Sequence, residues 1–354
     1  MPQVISSDDP RLGWQGAISL QREGGTVMPW RLPHAELPLY PFETLHDRAS
    51  RPAGVRMAFR SDTRHLAGRL GEAMGEARLD LCVDGELVAS LDLEGATGFR
   101  FPELPAGEKL LELWLPQFHP FRLAALELDA GASLTPDERA RPRWTTYGSS
   151  ITQCKAAASP ARTWPALVAR EHDLDLTCLG FSSQCHLEPM LARLVRDTPA
   201  DLISLCLGIN VQGGASLSER TLRPAVIGFV KLVREKHPTT PLAVISPIFA
   251  PQREATPNAV GLDLRRMRQE VRAAVETLQA FGDDHLTYVD GLELFGPELG
   301  QGTAEQRDQD VVLLHREAER DLGVDRPVAL RGASGPAGGT RRGDLEVTAG
   351  GELV

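Results

Sequence analysis

Hydrophobic and polar positions alternate through the first 135 residues, and turn-forming residues recur at short intervals, as is typical of antiparallel strands. Clear runs of this kind lie at 55–59, 110–115 and 121–128. Period-2 alternation gives each strand one apolar face, which must be buried against another layer. We therefore predict that residues 1–135 form an all-β, jelly-roll-like sandwich.

One hairpin in this region can be predicted in more detail. Two alternating sets, 79–83 and 87–93, flank an Asp-Gly pair, and both carry their apolar residues at odd positions. A two-residue loop would place these sets on opposite faces. A three-residue loop at 84–86 pairs Val83 with Leu87 and gives a single apolar face, so we predict the longer loop.

From residue 144 onward, strand-length apolar runs alternate with helical patterns. The strand candidates are 143–148, 174–179, 202–207, 242–246 and 286–290. The clearest helix carries its apolar residues on one face, at Leu264, Met267, Val271, Val275 and Leu278. Such alternation predicts a parallel sheet covered on both faces, in an α/β domain over 143–325. The proline-containing segment 134–143 is the predicted linker.

Small polar residues follow three of these strands, where ligands bind in parallel sheets. The segments are YGSSITQC at 147–154, LGFSSQCH at 179–186 and LGINVQGG at 207–214. A Gly-Ser-Ser turn alone is usually just a turn, and an asparagine after a strand is usually a turn former or a cap. Together, a hydroxyl nucleophile and two converging hydrogen-bond donors are the minimum for acyl transfer.

These three segments resemble the conserved blocks of the SGNH/GDSL hydrolase superfamily. Gly148-Ser149-Ser150-Ile151 is similar to Gly-Asp-Ser-Leu, with serine in place of the aspartate, and Gly208-Ile209-Asn210 is similar to Gly-x-Asn. The resemblance implies a three-layer α/β/α (flavodoxin-like) domain. It also implies that Ser150 is the nucleophile, and that the amides of Ser150 and Ser183 and the side chain of Asn210 form the oxyanion hole. In this alignment Ser183, rather than Gly180, stands where the family has a glycine. The resemblance extends to a branch that carries an N-terminal β-sandwich and includes a polyketide-tailoring acyltransferase.

The family's fourth block, Asp-x-x-His, is altered in this chain. His315 is the only histidine after His285, and Val312 stands where the aspartate belongs, with Asp310 nearby. The resemblance assigns the role of general base to His315. We expect residues 326–354, which lack periodicity, to be a disordered or frameshifted tail. Absence of an Asp-x-x-His segment from every reading frame of the neighbouring DNA would exclude the frameshift.

Composition excludes several classes of protein. The chain has 354 residues and a net charge of −10, with 38 basic against 48 acidic residues, which disfavours a nucleic-acid partner. It has no apolar run of about 18 residues, so we expect no membrane span. The N-terminus lacks a signal-peptide pattern, and the five cysteines lack metal-ligand spacing. We expect a cytoplasmic protein that uses no metal or organic cofactor.

The resulting expectation is a serine esterase acting on a small-molecule acyl ester, including esters of a sugar or a natural product. Two alternatives remain open: an acyltransferase onto a hydroxyl of such a molecule, and an impaired homologue with a damaged fourth block. The sandwich either walls the active site or is a separate binding module. Trp30, Trp114 and His119 are candidates for a surface contact or for burial, and His186 for lining the pocket. The sequence predicts no particular oligomeric state.

Overall fold

The computed structural model describes residues 1–298, and the first 136 of these form two antiparallel sheets with one apolar core. The strands of the first sheet are β1 (Gln3–Ser6), β3 (Ser19–Glu23), β4 (Thr26–Trp30), β6 (Leu66–Leu70), β9 (Gly98–Phe101) and β11 (Leu123–Leu128). Those of the second are β2 (Gly13–Gln15), β5 (Arg56–Ser61), β7 (Arg78–Val83), β8 (Glu86–Asp92), β10 (Lys109–Trp114) and β12 (Thr135–Pro136). The predicted sandwich is confirmed, and a 3₁₀ turn (His34–Leu39) and helix α1 (Glu43–Ala49) connect β4 to β5.

The loop between β7 and β8 is shorter than predicted. Val83 pairs with Glu86, so the loop consists of Asp84 and Gly85 alone. Both have positive φ, 50° and 87°, as a tight two-residue hairpin turn requires. The predicted three-residue loop, with Val83 opposite Leu87, is therefore wrong.

A β-bulge at Val88 restores the register that the short turn would otherwise shift. Cys82 pairs with Leu87, the next pair is Leu81 with Ala89, and Val88 is the extra residue. Leu87 therefore contacts the cluster shared with the second domain, whereas Ala89 packs on the sandwich core. The prediction that the odd-numbered positions of β8 share one face is therefore wrong, because the bulge at Val88 separates Leu87 from Ala89 and Leu91.

The second part of the described chain is a parallel five-stranded sheet with order β14-β13-β15-β16-β17. Its strands are β13 (Arg143–Gly148), β14 (Asp175–Gly180), β15 (Leu202–Cys206), β16 (Leu242–Ile245) and β17 (Leu286–Val289). Its helices are α2 (Ser150–Gln153), α3 (Trp164–Glu171), α4 (Pro189–Asp197), α5 (Ile209–Gly214), α6 (Glu219–Arg234), α7 (Leu264–Ala280) and α8 (Gly291–Leu294), with a 3₁₀ turn at Pro160–Arg162. All five predicted strands are confirmed, as is the buried face of α7.

The two faces of this sheet are covered differently. Helices α4, α6 and α7 pack on one face and form its main core with side chains such as Tyr147 and Leu205. On the other face, α3 and the sandwich cover β13 and β14 together, with Trp114 packed in the same cluster as Trp164. Trp114 is 1% exposed and Trp30 is 9% exposed, so both are core residues rather than surface contacts.

Buried polar contacts join the sandwich to the α/β domain. Asp80 accepts hydrogen bonds from the Ser159 hydroxyl at 2.5 Å and from the Ala161 amide at 2.8 Å. Arg56 donates a hydrogen bond of 3.0 Å to the side chain of Asp175, the first residue of β14. Because a buried polar group is costly unless it is paired, these contacts fix the sandwich against β14 and against the segment that leads into α3.

The segment predicted as a linker, 134–143, is held against the sandwich. Strand β12 pairs with β5, and Arg141 forms ion pairs with Asp137 and Glu112 while its side chain is only 6% exposed. This segment therefore contributes to the packing of the sandwich as well as connecting the two parts.

His315 and the predicted tail, 326–354, lie outside the described residues. No helix within residues 1–298 is long and apolar enough to cross a membrane.

Candidate active site

Ser150 is exposed at the carboxyl end of β13, where it opens the short helix α2. The preceding Ser149 is fully buried and caps this helix, because its hydroxyl accepts a hydrogen bond from the Ile151 amide at 3.2 Å. The helix is capped at its C-terminus by Cys154, which has a left-handed backbone and donates its amide to the Ser150 carbonyl at 2.8 Å. A single turn of helix thus presents the Ser150 hydroxyl beyond the sheet edge.

The end of β14 lies beside this turn at very close range. Gly180 pairs with Gly148 across the sheet, and the Phe181 amide donates to the Gly148 carbonyl at 2.8 Å. A Cβ on Gly180 would collide with the backbone of Gln153 and would lie 2.5 Å from the Thr152 carbonyl carbon. Glycine is required at this position because two backbones pack here without room for a side chain.

Ser183 is an exposed residue with left-handed backbone geometry (φ 60°) in the loop that follows β14, residues 181–185. An L-residue with a side chain adopts this conformation at a cost of about 1–2 kcal/mol. The neighbouring amides are fixed: Ser182 donates to Gln153 Oε1 at 2.9 Å, and Gln184 donates to the Phe181 carbonyl at 2.9 Å. The loop around Ser183 is therefore a defined turn.

Asn210 lies in the first turn of α5 and is bonded to the same loop. Its Oδ1 accepts a hydrogen bond from the Cys185 amide at 3.0 Å. This contact commits the oxygen of the carboxamide and leaves the Nδ2 hydrogens for another acceptor. Gly208, with φ 108°, makes the sharp entry into α5, and a Cβ there would lie 2.7 Å from Pro247 Cγ.

Gln153 links these segments through two hydrogen bonds of its side chain. Its Oε1 accepts the Ser182 amide, and its Nε2 donates to the carbonyl of Gln117 in the sandwich at 3.2 Å. The sequence does not predict this role, because Gln153 lies in the 147–154 segment and no local pattern distinguishes it from any other helix residue. Both of its partners are distant in sequence, which explains why only the structure identifies it.

His186 lies at the end of the loop and contacts it. Its Nε2 is 3.1 Å from the Ser183 carbonyl oxygen, and its Nδ1 is 2.8 Å from the Ser216 hydroxyl. The ring is half-buried and packs against Gly214, where a Cβ would lie 2.9 Å from its Cε1. His186 therefore supports the turn around Ser183.

Burial suppresses the other ionisable nucleophiles of the loop region. Burial raises the pKa of the Cys185 thiol and also that of the Tyr147 hydroxyl, so both stay protonated at neutral pH. Both side chains are almost fully buried, whereas Ser150 is exposed. Within residues 1–298, no group of three His, Cys, Asp or Glu side chains is placed to hold a metal ion. The three strand ends therefore carry an exposed hydroxyl at Ser150, a left-handed turn at Ser183 and a side-chain amide at Asn210.

Comparison with known proteins extends over both parts of the chain. Residues 12–124 match the sequence model of the SsfX3 N-terminal domain, and residues 143–315 match that of the GDSL-like lipase/acylhydrolase family. The structure is similar to that of the salicylyl-acyltransferase SsfX3 from a tetracycline biosynthetic pathway, with 36% identity and a TM-score of 0.85. The alignment covers 92% of this chain and 98% of that one. Among curated proteins, no sequence match was found.

More distant structures share the fold alone. A protein assigned as a GDSL-like lipase from Bacteroides ovatus is 19% identical, with a TM-score of 0.72 over 91% of this chain and 98% of that one. A family two carbohydrate esterase from Cellvibrio japonicus is 13% identical, with a TM-score of 0.63 over 92% and 99%. The combination of a sandwich and an α/β domain therefore recurs at low identity.

The packing at Gly180 predicts the effect of a single methyl group. In Gly180→Ala, the added Cβ must push β14 away from α2, so we expect destabilisation of roughly 2 kcal/mol or more. Gly228→Ala is the matched control, because Gly228 is exposed in α6 and a Cβ there meets nothing within 4 Å. Alanine favours helix, so we expect the control to gain about 0.5–1 kcal/mol. Urea unfolding measures the free energy of unfolding of both variants and of the wild type. A Gly180→Ala variant as stable as Gly228→Ala would contradict the close approach of β14 to α2.

Proposed function

Because the chain belongs to the GDSL-like lipase/acylhydrolase family, we propose that it is a serine esterase that forms an acyl-enzyme on Ser150. The observation that carries this proposal is the hydrogen bond from the Cys185 amide to Asn210 Oδ1. It ties the 181–185 loop to α5 and commits Asn210 Oδ1, which leaves Asn210 Nδ2 free to act as a donor. A nucleophile and donors that converge from three strand ends suit the tetrahedral intermediate of acyl transfer.

The proposed reaction begins with His315 as general base, since a serine hydroxyl is a poor nucleophile at neutral pH. Ser150 Oγ attacks the ester carbonyl and gives its proton to the imidazole. The negative oxygen is held by the amides of Ser150 and Ser183 and by Asn210 Nδ2. The alcohol leaves with the proton, and water then attacks the acyl-enzyme to release the acid. The family match extends to residue 315, which supports His315 as the base even though Val312 replaces the expected aspartate.

A second candidate is acyl transfer to a hydroxyl other than that of water. The observation in its favour is the 36% identity, over nearly the whole of both chains, to a salicylyl-acyltransferase. The acyl-enzyme is common to both reactions, and the product depends on which hydroxyl reaches it first. A sugar or a natural product with free hydroxyl groups is the acceptor class we propose for this case.

Removing the nucleophile tests the central proposal. We expect Ser150→Ala to lower p-nitrophenyl acetate turnover by about 10³-fold or more, because the acyl-enzyme cannot form. Ser133→Ala, on the sandwich surface, controls for the loss of a hydroxyl elsewhere and should match the wild type. Stopped assays with purified full-length chain give both rates. Equal turnover in wild type and Ser150→Ala would refute the esterase and would favour the impaired homologue.

The assignment of the base makes a separate prediction. We expect His315→Ala to lose about 10²–10⁴-fold in turnover, which is the usual contribution of a general base. His285→Ala, before the amino end of β17, should leave turnover unchanged. A larger loss in His186→Ala than in His315→Ala would contradict the assignment and would make His186 the base.

An acceptor titration separates hydrolysis from transfer. With p-nitrophenyl acetate as donor and tetracycline or glucose as acceptor, transfer yields an acetylated acceptor in place of acetate. We expect this product to rise with acceptor concentration and to be absent from Ser150→Ala. Mass spectrometry of the products measures the ratio, and acetate alone at every concentration would restrict the protein to hydrolysis.

A further inference from the structure

Arg31, immediately after β4 in the sandwich, has a fully buried guanidinium whose hydrogen bonds all go to carbonyl oxygens. Nε donates to the Arg51 carbonyl at 2.6 Å, and Nη2 donates to that of Arg48 at 2.6 Å. Nη1 donates to two carbonyls of β14, Cys178 at 3.1 Å and Gly180 at 2.5 Å. Within residues 1–298, no carboxylate forms an ion pair with it.

A buried cation without a counter-ion is an expensive feature. Burial lowers the pKa of Arg31 to about 10, which still leaves it charged at neutral pH. The four carbonyl dipoles and the ring of Phe181, 4.9 Å from Cζ, replace part of the lost hydration. The planar guanidinium can hold several acceptors in fixed directions, which an apolar side chain or a lysine cannot do.

The acceptors connect this guanidinium to the candidate active site. Gly180 is the last residue of β14, and the 181–185 loop begins at the next residue. Arg48, whose carbonyl Arg31 holds, also donates its own Nε to the Ser182 carbonyl at 3.3 Å. The sandwich therefore holds the chain on both sides of Phe181, at points one to three residues before Ser183.

We propose that Arg31 is a positioning residue for the oxyanion hole, fixing the end of β14 so that the Ser183 amide faces the reacting carbonyl. This inference rests on the proposed acyl transfer. Donors stabilise an oxyanion only when they are held in place before the reaction, and a displacement of about 1 Å can lower the rate by about 10². Arg31 touches no substrate, so its effect is exerted through the loop.

Arg56, the first residue of β5, offers a matched control because it contacts the same strand, β14. It is also a fully buried arginine of the sandwich, and it contacts β14 at the opposite end, through Asp175 at 3.0 Å. Its second partner, Glu112, lies 3.3 Å from its Nε. Replacing Arg56 should therefore weaken the interface with the sandwich without moving the 181–185 loop.

The first test compares Arg31→Lys and Arg31→Met with Arg56→Lys in p-nitrophenyl acetate turnover. We expect Arg31→Met to lower kcat by about 10–100-fold with KM changed less than about threefold, because the donor is displaced and the substrate pocket is intact. The kcat of Arg31→Lys should fall between those of Arg31→Met and the wild type. If Arg31→Met fails to fold, the kcat of Arg31→Lys tests the proposal. Arg56→Lys should lower Tm but keep kcat within about threefold. Equal kcat losses at both arginines, in proportion to Tm, would overturn the proposal.

The second test does not depend on turnover. The amides of Ser182, Gln184 and Cys185 are hydrogen-bonded and therefore protected from exchange with deuterated solvent. We expect Arg31→Lys to speed their exchange by at least about tenfold relative to both wild type and Arg56→Lys. Unchanged exchange would overturn the role of Arg31. A wild type without Ser150-dependent turnover would instead refute the proposed function, and the exchange rates would still decide whether Arg31 fixes the loop.

Discussion

The close approach of β14 to the helix that carries Ser150 is the constraint on which the rest of the site depends. Gly180 has no side chain, so the strand end and the backbone of Gln153 come into direct contact. That contact brings the Ser182 amide within reach of the Gln153 side chain and brings the Phe181 amide onto the Gly148 carbonyl. Since the loop after β14 also holds Asn210, one packing contact relates all three strand ends to one another.

Residues of the sandwich hold the loop after β14 and helix α2 through hydrogen bonds. Arg31 and Arg48 hold carbonyls before and within the 181–185 loop, and the Gln117 carbonyl accepts a bond from Gln153. A separate binding module would need none of these buried contacts, because its surface could turn freely relative to the α/β domain. The polar contacts and the shared apolar cluster around Trp114 instead make the sandwich a support for the loop.

Sequence reasoning predicts what depends on local pattern. The parallel strands follow from continuous apolar runs, and the three polar segments follow from their positions at strand ends. The bulge at Val88 could not be predicted, since Leu87, Val88 and Ala89 are all apolar and alternation gives no sign of which is extra. Arg31 was missed because its partners in β14 are nearly 150 residues away, and its neighbours in sequence carry no sign of a buried charge.

The local backbone geometry explains which positions of the family's pattern differ in this chain and which do not. Ser149 replaces an aspartate but only has to cap a helix from a buried site, which a serine hydroxyl does. By the resemblance, Ser183 stands where the family has a glycine; its left-handed backbone costs about 1–2 kcal/mol, and its side chain is exposed and meets no packing constraint. Gly180 and Gly208 have no such freedom, since a Cβ would meet backbone or a proline ring, and both remain glycine. The described positions that differ from the family's pattern are therefore ones where the local backbone accepts another side chain, whereas close packing holds the two glycines unchanged.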